Sequence, residues 1–164
     1  MKNSFARTAL TTAAAATLLA ACSSIDCPLN NRVYARYRLA GTVTHLADTM
    51  TISTNRSDDG SDTVLINMQA PTDSFSLPVS YHAGTDIFYI ELRDTAGQHY
   101  TDTLEIEKTN EPHFESVDCS ANYFHTLTAV TCTHNAVDSV RIINNKVDYD
   151  NSKTHFLIYF RPHY

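Results

Sequence analysis

The chain has 164 residues, with 18 acids against 12 Lys and Arg, a formal charge of −6 and no tryptophan. That length suits one domain with a real core, and an acidic balance without a basic stripe argues against nucleic acid and against capture by anionic lipid headgroups. Its four glycines, Gly41, Gly60, Gly84 and Gly97, are isolated, so neither a phosphate-cradling loop nor a dinucleotide fingerprint can be built.

Lys2 and Arg7 open the chain with positive charge, and Ala9 to Ala21 carries none. A basic start and a short apolar run ending in small residues describe a secretory leader, too short to span a bilayer. Leu19-Ala20-Ala21-Cys22 resembles the lipobox of bacterial lipoproteins, which implies cleavage before Cys22 and a diacylglycerol plus a further acyl chain on that cysteine. Two or three chains anchor firmly, because affinity grows by about 0.8 kcal/mol per buried CH₂. Ser23 and Ser24 follow, with Asp26 the only nearby acid. This pattern predicts the outer membrane, periplasmic face. The leader takes two bases and no acid, so the remainder is more acidic than the whole.

Period-two alternation dominates the rest and no helical stripe appears. Predicted strands cover Arg32 to Leu39, the run around Met50 and Ile52, and the run holding Val64, Ile66 and Met68. Next come Phe75, Leu77 and Val79, where Pro78 implies a sheet edge or bulge. Ile87 to Leu92 is apolar on both faces, as a central strand would be. Leu104 and Ile106 alternate with acids, and Phe124 to Thr133, Val140 to Ile143 and Phe156 to Phe160 complete the set. Short strands with turn clusters between them, such as Asp94-Thr95-Ala96-Gly97, predict a single immunoglobulin-like β-sandwich, mostly antiparallel. The expected domains are a leader at 1–21, lipidated cysteine and tether at 22–31, and sandwich at 32–164.

An acid followed by a hydroxyl residue recurs at Asp48-Thr49, Asp62-Thr63, Asp102-Thr103 and Asp138-Ser139, each before two apolar residues expected to face inward. Strand-entry grammar explains it, with Asp closing a turn. The same pattern resembles the O-glycosylation sequon of exported Bacteroidota proteins, which makes Thr49, Thr63, Thr103, Ser139 and the turn residue Thr95 candidate glycosylation sites.

Chemistry-bearing motifs fail one by one. There is no Gly-x-Ser-x-Gly elbow, no His-Glu-x-x-His and no close cysteine pair for zinc. The turn from Asn55 has calcium-loop residues at Ser57, Asp59 and Gly60, but its twelfth position is Ile66 rather than Glu. Glu111, His113 and Glu115 share one face in extended chain, with Asp118, Asn122 and His125 nearby. An exposed loop is the expectation there; a metal site or acid–base pair would need convergence. Tyr34, Tyr37, Tyr81, Tyr89, Tyr100, Tyr123 and Tyr159 mostly fit strand packing. No enzyme, cofactor or metal is expected.

With Cys22 lipidated, Cys27, Cys119 and Cys132 remain, an odd count in an oxidising compartment. Cys27 lies at the mouth of the domain, Cys119 in a polar loop and Cys132 in a strand-like run. Terminal and loop cysteines approach each other most freely, which favours Cys27–Cys119; Cys119–Cys132 and no bridge are the alternatives.

Several stretches resemble a family of small Bacteroidota lipoproteins defined only as a domain of unknown function. They are Asp26-Cys27-Pro28-Leu29-Asn30, Phe75 to Tyr81, Pro112 to Cys119, Phe124-His125-Thr126-Leu127, Asp138-Ser139-Val140, Asn144-Asn145 and Phe156 to Phe160. The resemblance runs over essentially the whole mature chain and implies a one-domain exported lipoprotein without an assigned activity. Cys27 and Cys119 both fall in matching stretches, in agreement with their pairing. The expected role is a non-enzymatic binding or assembly module in the envelope. Its contacts would be the membrane, through the anchor, and an envelope protein, through the Pro78 edge or the loop from Glu111 to Asn122. A periplasmic glycan or small-ligand binder is the alternative.

Overall fold

The computed structural model describes Cys27, residues 32–55, residues 62–162 and Tyr164. The leader, Cys22, the tether apart from Cys27, and the acidic turn at 56–61 lie outside the described residues, and so do the expectations placed on them.

Among the described residues ten strands follow in order: β1 Tyr34–Ala40, β2 Thr49–Asn55, β3 Asp62–Gln69, β4 Ser74–Pro78, β5 Thr85–Arg93, β6 His99–His113, β7 Asn122–Cys132, β8 Val137–Ile142, β9 Lys146–Val147 and β10 Phe156–Phe160. Among the described residues no helix is long and apolar enough to cross a membrane. A four-stranded sheet has the order β4-β1-β10-β8 and a six-stranded sheet the order β3-β2-β5-β6-β7-β9. Strand pairing is antiparallel except between β1 and β10. The protein is thus all-β, with two mostly antiparallel open sheets.

Alternation explains which face each strand buries. Ala35, Tyr37 and Leu39 point inward from β1, Phe75 and Leu77 from β4, and Phe156, Ile158 and Phe160 from β10. Met50, Ile52, Phe88, Ile90, Leu92, Leu104 and Ile106 meet them from the other sheet in one core cluster. At its centre Tyr37 stacks between Phe75 and Phe156, with ring centroids 4.9 and 4.5 Å away. The parallel pair is stapled by His155, which accepts from the Arg36 amide at Nδ1 (3.0 Å) and donates its own amide to the Arg36 carbonyl (2.9 Å).

Three local expectations need correction. Residues 111–113 are strand rather than loop, because β6 runs for 15 residues as far as His113. Polar Lys108 and Asn110 continue the inward face there, which apolar periodicity does not register. Val64 and Met68 do not face the core with Ile66; they are 55% and 58% exposed. Register shifts between β2 and β3, with Met68 at a φ of 49°, rotate that edge strand outward. Asp102 is not a turn residue; it lies within β6 and is 1% exposed.

From that position the Asp102 carboxylate accepts from the Thr133 hydroxyl (2.7 Å) and the amides of Asn135 (2.8 Å), Ala136 (2.7 Å) and Val137 (2.8 Å). It fixes the connection between β7 and β8. Burial works against its charge, but these hydrogen bonds outweigh it and hold the carboxyl below its ordinary value.

Candidate functional site

One end of the molecule is built by the β6–β7 hairpin. The pairing shifts register between Glu107 and Lys108, with Thr128 the extra residue on β7. The bulge switches the inward set of β7 from Val130 and Cys132 to Leu127, His125 and Tyr123. Beyond it, Glu111↔Phe124 and His113↔Asn122 pair along the hairpin, and residues 114–121 form its tip.

Both faces of this hairpin carry aromatic rings. On one face Tyr81, from the loop after β4, stacks on Tyr123 at 5.1 Å and on His82 at 4.1 Å. On the other His113 stacks on Phe124 at 4.3 Å, and Tyr149 closes edge-on against Phe124 at 5.0 Å. Asn122 donates its side-chain amide to the Tyr149 hydroxyl. At the tip Phe114 is 62% exposed and Val117 97% exposed. Sequence reading assigned Tyr81 and Tyr123 to strand packing; Tyr81 is instead an exposed loop residue.

The tip is tied covalently. Cys27 and Cys119 are disulfide-bonded, with Cα atoms 5.6 Å apart and a sequence separation of 92. Cys132, at the end of β7, is a free thiol.

The candidate acid–base residues split between faces. Glu111 points outward, where Thr126 and Lys146 donate to it, the latter at 2.9 Å; these bonds hold its carboxyl below the ordinary value. His113 reaches Glu115 at 3.3 Å on the same side. His125 points into the core, 2% exposed, with Nδ1 2.8 Å from the Asn110 side-chain oxygen. Burial, reinforced by the Lys108 ammonium, pushes its pKa down to about 4. Among the described residues no group of three or more His, Cys, Asp or Glu lies close enough to hold a metal ion.

Beneath the Tyr81 loop the core turns polar. Lys108 and Asp86 form an ion pair at 3.4 Å with side chains almost fully buried. The Lys108 ammonium also donates to the Ala83 carbonyl, and Asp86 accepts from the Ser80 amide at 3.1 Å. Asn110 donates to the carbonyls of Tyr81 (3.0 Å) and Ala83 (3.1 Å). These bonds seat the 80–84 loop over the hairpin base.

A second feature lies on the outer face of the six-stranded sheet. Thr51, Ser53, Asn55, Asp62, Tyr89, Glu91 and Thr101 line an open groove of about 430 Å³. It is rich in hydroxyls and carboxylates, with one aromatic ring. The five candidate glycosylation hydroxyls are scattered. Thr95 is exposed in the β5–β6 turn, whereas Thr49, Thr63, Thr103 and Ser139 are half-buried on strands. Thr49 already donates to the Arg93 carbonyl at 3.3 Å.

The family of unknown function DUF6452 matches residues 49–160. The chain belongs to that family. The DUF6452 segment opens with the first residue of β2 and closes with the last of β10. It therefore contains the whole hairpin and Cys119 but neither β1 nor Cys27, although β1 lies between β4 and β10 in its sheet. The likeness is thus shorter than the essentially complete mature chain expected from sequence. No curated protein and no solved structure matches the chain.

Proposed function

We propose that this DUF6452 chain is an outer-membrane lipoprotein, anchored through lipid on Cys22, whose domain is a non-enzymatic binding or assembly module on the periplasmic face. The observation that carries the reading is the Cys27–Cys119 bond. It ties the hairpin bearing Phe114, Val117 and the flanking aromatic rings to the chain only five residues after Cys22. Phe114, Val117, Tyr81 and Tyr149 leave apolar surface in water at this end, and grouped exposed apolar side chains mark an interaction surface. The basic, alanine-rich leader ending at Leu19-Ala20-Ala21 supports export and lipidation. One core shared by two sheets, with a single parallel pairing among antiparallel ones, supports the finer reading of one immunoglobulin-like sandwich. Exposure of Thr95 in a turn supports it as the first of the five hydroxyls to carry a glycan.

The test is crosslinking in intact cells followed by purification of the tagged, lipidated protein from detergent. A stoichiometric envelope partner, lost in Cys22→Ala, is the expected result. Background capture alone sinks the assembly role.

The groove around Tyr89 favours a second reading, a binder of glycans or small polar ligands, since hydroxyls and carboxylates beside an aromatic face are the groups that hold a sugar ring. Titration with neutral oligosaccharides, compared between the parent protein and Tyr89→Ala, separates the two readings. Saccharide binding that Tyr89→Ala removes favours the second.

A further inference from the structure

The position of Cys27 has a geometric corollary for the hairpin tip. Five peptide links separate Cys22 from Cys27, a contour of at most about 18 Å. Across the disulfide the Cα of Cys119 is another 5.6 Å away. Cys119, within the tip, therefore cannot lie more than about 24 Å from the lipidated residue. The β5–β6 turn sits at the other end of β6, a strand of 15 residues, roughly 50 Å away at the rise of a strand.

The tip carries the features a lipid surface selects. Val117 is 97% exposed and Phe114 62% exposed. Tyr81 and Tyr149, 52% and 40% exposed, pack against Tyr123 and Phe124 on the adjoining hairpin strand, with amphipathic rings of the kind that settle at headgroup level. No Lys or Arg occurs from Thr109 to Leu127, while Glu111, Glu115 and Asp118 do. Glu111 and Glu115 are paired with Lys146 and His113. That charge pattern fits neutral headgroups and repels anionic ones. A tether this short holds the tip at an effective concentration of about millimolar at the bilayer, so weak apolar attraction suffices.

From this we infer that the β6–β7 tip, led by Phe114 and Val117, docks into the zwitterionic lipid surface that holds the anchor, so that the domain stands on its hairpin end. The inference rests on the lipoprotein reading above.

The chain contains no tryptophan, so a single introduced one reports its own surroundings. Val117→Trp, Phe114→Trp and, as the remote control, Thr95→Trp are made in the lipidated full chain. Each is reconstituted into phosphatidylcholine vesicles with plain or brominated acyl chains, and intact mass confirms the lipid on Cys22. Blue-shifted emission quenched about twofold by bromine is expected for the two tip variants and none for Thr95→Trp. Added phosphatidylglycerol is expected to reduce the quenching. If the lipidated tip variants are quenched no more than Thr95→Trp, the tip stays in water and the docking inference falls while the lipoprotein reading stands. If intact mass shows Cys22 without lipid, both fall together.

Discussion

Lys108 and Asp86 meet at 3.4 Å on the inner face of the six-stranded sheet, diagonal to each other across β5 and β6. Burial alone pushes the Asp86 carboxyl up, and the Lys108 charge and Ser80 amide pull against it. Removing one partner leaves the other charged and dry. Lys108→Met is expected to destabilise the fold by about 3–5 kcal/mol, and Asp86→Leu with Lys108→Met to recover most of that loss. Urea unfolding of the single and double variants checks it. Single-variant costs that simply add to give the cost of the double would show that the pair is not coupled.

Asp102 has the opposite balance. Its folded value lies below the ordinary 3.8 despite burial, through hydrogen bonds from the 133–137 segment. Its contribution is fully present above the unfolded value and is lost as pH falls through the folded one. Asp102→Asn is expected to cost about 2–3 kcal/mol at neutral pH, because an amide turns donors toward donors. As pH falls from 3.8 through the lower folded value, the variant and parent should converge. Chemical unfolding across that range is the measurement.

His125 is held neutral by the core, with its pKa lowered from 6.5 to about 4. The unfolded chain takes up a proton first, so folding stability falls as pH drops from 6.5 toward 4. Over that window His125→Gln should flatten the slope of stability against pH. An unchanged slope would assign the loss to other groups.

The Cys27–Cys119 bond encloses a separation of 92 residues. Loop-closure entropy puts its contribution at about 4–5 kcal/mol. Reduction, or Cys119→Ser, should lower the unfolding midpoint accordingly, while Cys132→Ser should leave it nearly unchanged. A larger effect of Cys132→Ser would mean that the thiols exchange partners.

Strands were legible where apolar residues alternate. Phe156 to Phe160 is β10 residue for residue, Ile87 to Leu92 is central between β2 and β6, and Pro78 marks β4 as an edge. The pairing of Cys27 with Cys119 was legible as well. What stayed hidden depends on partners distant in sequence. Lys108, Asn110 and His125 look like surface residues, yet Lys108 and Asn110 continue the inward face of β6 to meet Asp86 and the carbonyls of Tyr81 and Ala83, and His125 turns inward past the Thr128 bulge. Two-residue β9 has too little pattern to detect and exists only because β7 offers it an edge. The aromatic end was half visible. Its loop was noted for charge, whereas its exposed rings come from segments as far apart as Tyr81 and Tyr149.

Each open sheet has two rims, and none offers a neighbouring molecule a clean template. β4 is five residues long and ends in Pro78, β9 is two residues long, and β8 turns Asp138 and Arg141 to solvent. The β3 rim is broken by register shifts and by left-handed Met68. Copies crowded side by side would find these short, charged or broken rims poor templates to zip onto. A surface packed with this protein should stay a population of separate molecules rather than a fibrous mat.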